Sequence, residues 1–366
     1  MQAVQPEEKP AVLPAAAAPQ KTAAEPQSFK PSRSLKTPAQ LAGPEVPFAE
    51  LDSQARKVYT RLLSQAAELL NRTEQPYTEQ YEAVRRVCGQ TADTLKTNPV
   101  LLNYASYSTS GGYLPGHTAN TTLLALAMGQ SAGLEAGELN LLGFCAMAHD
   151  IGMTGYSDLY NSETRLSEEE FTEMARHAED GVKKLDRILD LDHRIKERAK
   201  NIVLQVHERL DGGGYPDQIS KDDIDPLAQF IGIADAYEAL THPRPWRAAF
   251  SPPDAIKELI EIEGRSFNAK AVKSLIGVLS IYPPNSLVAL STKEIARVIR
   301  VNKGSLTRPL VEIFLDADFA VVTPKTLDLL QYPLTSVERG VPFGELENRN
   351  PEAAARLELA SWWTEW

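Results

Sequence analysis

The sequence predicts a mainly α-helical protein with a disordered N-terminal tail and a small antiparallel β subdomain at its C-terminal end. Three observations predict it. The opening stretch is rich in Ala and Pro, the long middle repeats apolar residues at helical spacing, and the last quarter consists of short β-rich runs divided by turn residues. Of 366 residues, 43% are hydrophobic, enough for a substantial core and for one large domain or two to three ordinary ones.

Residues 1 to about 45 carry Phe29 as their only aromatic and bury too little to offset the entropy of ordering, so a disordered tail is expected there. Over residues 46–106 a helical segment follows. Leu51, Val58, Leu62, Leu63, Ala66, Leu69 and Leu70 recur at helical spacing, and Tyr77 to Leu95 repeats the behaviour. Pro115-Gly116 marks the next helix start, with His117, Thr121, Leu124 and Met128 on one face. In Leu139 to Asp150, the stripe Leu142, Cys145, Ala146 and His149 brings His149 inward at that helix's end. Ser167 followed by Glu170 is a capping-box pattern that opens a helix carrying His177 on the turns beyond Phe171 and Met174. Further helices are expected over Ile195–Leu210, ending at Gly212-Gly213-Gly214, and over Gln229–Leu240 and Asp254–Glu263. Tyr282-Pro283-Pro284 reads as a joint. Beyond it, Ser286–Leu290, Glu294–Val301, Pro309–Leu315 and Phe319–Val322 read as strands of an antiparallel sheet or barrel.

A net charge of -11 and a pI near 5.2 argue against DNA or RNA as partners, since backbone binding needs clustered cations. Two cysteines, Cys88 and Cys145, make no disulfide framework and suit a reducing cytosol. No apolar run approaches the ~20 residues that span a bilayer, and neither a signal peptide nor membrane insertion is expected.

His117, His149-Asp150, His177, His207 and Asp235 fall on five predicted helices, as imidazoles and carboxylates of one chemical type. The ligand type suits Fe, Mn, Ni or Zn, and adjacent His149-Asp150 leaves one carboxylate oxygen to bridge to a second ion. The bland alternative is a set of buried, hydrogen-bonded polar residues. Gly212–Gly214 could likewise be only a helix cap, Arg244 and Arg247 could be surface ion pairs, and His193 and His242 read as surface residues.

Taken together these residues resemble the HD-GYP branch of the HD superfamily. His149-Asp150-Ile151-Gly152 resembles its HD motif and His207-Glu208-Arg209-Leu210-Asp211-Gly212-Gly213-Gly214-Tyr215-Pro216 its signature loop, with Asp235 as last ligand and Arg244-Pro245-Trp246-Arg247 as its arginine segment. The likeness runs from about Tyr107 to Asn268, within a domain placed at 107–281, and a β-rich subdomain and tail follow at 282–366. It implies an HD-type helical bundle holding two divalent transition metals, Fe or Mn. Asp150 would bridge them, with His117, His149 and Asp235 on one and His177 and His207 on the other. The implied activity is phosphodiester hydrolysis of cyclic di-GMP to pGpG or GMP by a metal-activated water, with Asp150 and His149 at its centre. Gly214, Tyr215, Pro216, Arg244 and Arg247 would meet the substrate.

The chain departs from the family pattern at Met153, where a lysine is usual, at Val206, where a second histidine is usual, and at Tyr113, where trinuclear members use glutamate. Tyr113 implies two metals at most, and Met153 and Val206 motivate the alternative of a degenerate member that binds cyclic di-GMP or a protein partner without hydrolysis. A homodimer is also compatible with the sequence.

Overall fold

Tyr113–Ser131 (α3) is apolar or small on nearly every side, and a helix without a polar face must be enclosed by others. The computed structural model, which describes residues 47–72, 78–109, 112–187, 192–262, 265–302, 304–360 and 362–363, encloses it accordingly. The expected disordered tail lies outside the described residues. Around α3 pack Phe48–Asn71 (α1), Thr78–Thr97 (α2), Ala136–Ala148 (α4), Pro226–Thr241 (α9) and Ala269–Leu279 (α11). Leu123, Leu124, Ala125 and Met128 of α3, with Leu142, Phe144, Ile231 and Ile233 of its neighbours, belong to one continuous core.

Between these lie Ser157–Tyr160 (α5), Glu168–Ala175 (α6), His177–Leu185 (α7), His193–Gln205 (α8) and Pro252–Glu261 (α10). The expected capping box is present: Ser167 accepts from the Glu170 amide and Glu170 accepts from the Ser167 amide. The helix it opens ends sooner than expected. The imidazole of His177 donates to the carbonyl of Met174 (2.8 Å), so α6 breaks at Arg176 and His177 begins α7.

The helix expected to reach Leu210 stops at Gln205. Past that point the chain's polar groups find other partners. Arg209 Nη1 donates to the carbonyls of Val206 (3.2 Å) and Glu208 (2.9 Å), and the Leu210 amide donates to Ser266 O (3.2 Å). Asp225, the N-cap of α9, accepts from the Leu227 amide and is tied to α8 through Arg198 (3.1 Å).

The C-terminal part is a five-stranded antiparallel sheet. Its strands Leu287–Leu290 (β2), Ile295–Asn302 (β3), Ser305–Leu315 (β4), Val321–Asp328 (β5) and Val337–Gly340 (β6) lie in the order β5-β4-β3-β2-β6. Register follows the pleat: Val298 faces Val311, and Val311 faces Leu327. Residues alternate between two small cores, Val288 and Leu290 on one side and Leu287 and Ala289 on the other. The second side is covered by Phe343–Arg349 (α12) and Pro351–Ala360 (α13), where the sequence promised only a tail. Asn103 Nδ2 donates to Ile299 O (2.6 Å), tying the sheet to the 3-10 turn Pro99–Ser106. Ser108–Thr109 (β1) pairs in parallel with Trp362–Trp363 (β7). No helix of the described residues is long and apolar enough to cross a membrane.

Candidate metal centre

The six expected ligand residues converge where α3, α4, α7, α8 and α9 meet. Asp150, the second residue beyond α4, is 5% exposed and stands between two histidine pairs. Its Oδ2 lies 3.4 Å from His117 Nε2 and 3.6 Å from His149 Nε2, while its Oδ1 lies 3.3 Å from His177 Nε2 and 3.7 Å from His207 Nε2. Asp235 on α9 closes the fourth side, with Oδ1 3.2 Å from His117 Nε2 and Oδ2 3.6 Å from His207 Nδ1.

Tautomers follow from the partners. His149 Nδ1 and His177 Nδ1 each point at a main-chain carbonyl, of Ala146 and Met174 (2.8 Å each), which can only accept. Both rings in their neutral form therefore turn an Nε2 lone pair inward. His149 Nε2 is buried with no hydrogen-bond partner, and His177 Nε2 faces His207 Nε2 at 3.0 Å. Lone pairs and carboxylate oxygens aimed at a common space repel one another unless a cation stands between them. Two groups could hold one, His117 with His149 and Asp150, and Asp150 with His177 and His207; within each, the ligand atoms lie within 4.8 Å of one another. The donor set, imidazole nitrogen and carboxylate oxygen without thiolate, fits a divalent transition metal.

The electrostatics agree. Burial alone would raise the Asp150 carboxyl, but His149, His117, His177 and His207 hold it well below the usual carboxylate range. Burial opposes charge on His117, and the carboxylates of Glu238, Asp150 and Asp235 overcome it, raising its pKa well above the usual histidine value. His207 is pushed down to about 4 by burial and is neutral at physiological pH.

The glycine loop positions His207. The Gly214 backbone lies so close to residues 207–209 that a Cβ there would stand 2.4 Å from Glu208 Cα, and the Tyr215 ring stacks on His207 at 4.9 Å and 10°. Gly212, at φ +77°, turns the chain beyond the helix. Tyr215, Arg244 and Arg247 line a cleft of about 1000 Å³ above Asp150, whereas Gly214 and Pro216 stand outside its lining. Arg244 lies 3.7 Å over the Tyr113 ring, which itself stacks on His117, and Arg247 is held by the Ala239 carbonyl (2.5 Å). Met153 contributes to the apolar wall with Leu114, Tyr160 and Met174, and Val206 packs into the main core.

His193 is exposed, as expected, but His242 is not a surface residue: it is 4% exposed and donates from Nδ1 to Glu238 O (2.9 Å). The reason is periodicity. Asp235, Glu238 and His242 are spaced i, i+3, i+7 and share one face of α9 and its end. That face also carries Glu238, whose carboxylate pairs with His117 Nδ1 and accepts from Asn120 Nδ2 (3.2 Å). Neither Glu238 nor Asn120 was among the expected site residues, although Asn120 lies one turn beyond His117.

Residues 112–270 match the family described as HD domain, and residues 287–348 the family described as KOW domain associated with HD domain. The chain is 28% identical over 236 residues to Cyclic di-GMP phosphodiesterase PA4108 of Pseudomonas aeruginosa, an alignment covering 64% of this chain and 56% of that protein. It is 30% identical over 148 residues to Cyclic di-GMP phosphodiesterase response regulator RpfG of Xanthomonas campestris, covering 40% and 38%. To 3'3'-cGAMP-specific phosphodiesterase 2 of Vibrio cholerae it is 29% identical over 161 residues, covering 44% and 30%. The chain thus spans little more than half, or less, of the length of these relatives.

Proposed function

We propose that this chain, whose residues 112–270 match the HD domain family, works as a member of the HD-GYP family, a metal-dependent phosphodiesterase hydrolysing cyclic di-GMP to pGpG or GMP. The observation that carries this reading is Asp150, one oxygen toward His117 and His149 and the other toward His177 and His207, at the floor of the cleft. Two divalent ions, Fe or Mn, would supply an activated water and neutralise charge developing on the phosphoryl oxygens. His117, His149 and Asp235 would hold one and His177 and His207 the other, with Asp150 shared.

The remaining residues bind and orient. Arg244 and Arg247, with fixed guanidinium planes, would meet phosphate or guanine edges. Trp246, 44% exposed at the cleft, offers a stacking face, and the loop Gly214-Tyr215-Pro216 holds His207 while Tyr215 closes one wall. Cleft volume supports a large ligand over a simple phosphoester. We assign the helical segment to residues 46–106, the catalytic domain to 107–281 and the β-rich part to 282–366, in a protein working in the cytoplasm.

The apolar setting of Met153 favours one second reading, a receptor that binds cyclic di-GMP without cleaving it. Purified protein prepared without oxygen and loaded with Fe or Mn separates the two, using cyclic di-GMP and 3'3'-cGAMP as substrates and Asp150→Ala as control. Linear product absent from the control is expected. Binding of cyclic di-GMP without product would sink the enzyme reading, and equal rates on unrelated phosphoesters would sink its specificity.

A further inference from the structure

We propose that Tyr59, on α1 and so ahead of the matched HD domain, is a positioning residue for the His117 ligand, acting through Asn120 and Glu238. The inference rests on the reading of His117 as a metal ligand. Tyr59 is 0% exposed, and its hydroxyl donates to Asn120 Oδ1 (2.7 Å). That bond fixes which way the Asn120 amide faces. With Oδ1 occupied, Nδ2 is turned to Glu238 Oε1 (3.2 Å) and to His242 Nε2 (3.3 Å). His242 Nδ1 faces two acceptors, the Glu238 main-chain carbonyl (2.9 Å) and Glu238 Oε1 (3.1 Å), so it carries the proton and Nε2 accepts from the amide.

Glu238, 1% exposed, thus meets Asn120 Nδ2 and His242 Nδ1 on one oxygen and His117 Nδ1 on the other. A carboxylate on Nδ1 fixes the tautomer of an imidazole and its ring plane, leaving the Nε2 lone pair for a cation. In His117 that nitrogen faces Asp150 and Asp235. Without the Tyr59 hydroxyl the amide loses this donor to Oδ1. Its buried Oδ1 is left unsatisfied and its plane is no longer fixed, so the Nδ2 bond that orients the Glu238 carboxylate against His117 loosens.

Co²⁺ titration of the metal-free full chain, followed by visible absorption, tests this. Tyr59→Phe should weaken Co²⁺ binding by about tenfold, as loss of an outer-shell partner does, and should shift the absorption of the bound ion. Asn120→Ser, which deletes the relay, should change both in the same direction. Tyr104→Phe is the control, since Tyr104 packs on Tyr59 (ring centroids 5.2 Å apart) and its hydroxyl donates instead to Asp52 (2.9 Å). It should match the unmodified chain. Tyr59→Phe indistinguishable from the unmodified chain, or Tyr104→Phe equally weakened, overturns the proposal alone. An unmodified chain that binds no Co²⁺ overturns the metal-centre reading together with it.

Discussion

Asp150 is the residue on which the two histidine pairs depend, because each of its oxygens faces a different pair. Asp150→Asn should lower turnover by more than the roughly 100-fold that follows loss of an outer-shell partner, with bound metal, measured by elemental analysis, falling in parallel. Metal binding should also weaken on acidification. His117 and His177 have pKa values raised against the effect of burial, by Glu238, Asp150 and Asp235 around the first and by Asp150 around the second. An incoming cation must displace their protons, so affinity drops by about tenfold per pH unit for every proton released; a pH-independent affinity would contradict this. That His117, His149, Asp150, His177, His207 and Asp235 converge was legible, because each is a titratable residue at the inward position of a predicted helix. His242 was read as a surface residue, since an imidazole just past a helix end looks solvent-facing until its partners on α3 and α9 are known.

Single elements show how glycine sets the approach of the ligand-bearing segments. Gly152, in the 3-10 turn Ile151–Gly155 behind Asp150, lies against α7 so tightly that a Cβ would stand 1.9 Å from the carbonyl oxygen of His177. Gly152→Ala should therefore destabilise by about 1–3 kcal/mol or more, as overpacking does, read as a lowered thermal midpoint. It should also reduce metal binding, because the contact is with the backbone of a ligand residue. Helices with strong periodicity, such as α1 and α2, were legible to within a few residues. The break between α6 and α7 and the early end of α8 were not, because side chains of His177 and Arg209 take carbonyls that local pattern assigns to the helix. Strand β6 and helices α12 and α13 went unread for a similar reason: short elements that cover a sheet face carry little periodicity of their own.

Across the whole molecule, the clustered histidines and aspartates come from distant parts of the chain and join α3, α4, α7 and α9, so an ion held among them should couple to the fold. Saturating Mn²⁺ at 100 times its dissociation constant adds about 2.7 kcal/mol for one site, which raises the thermal midpoint by several degrees and is reversed by a chelator. No shift would mean that the folded chain does not bind the ion in preference to the unfolded one. The mainly helical class and the antiparallel sheet were legible, being consequences of two different spacings of apolar residues, whereas the reach of α1 to the support of His117 depends on packing that no spacing encodes. One consequence of the burial of α3 concerns exchange with solvent. Walled by α1, α4, α9 and α11, its amides between Ala119 and Met128 can meet deuterium only when the whole helical core opens. Their exchange rate should therefore report global unfolding, and a centre anchored on that helix persists until the fold itself is lost.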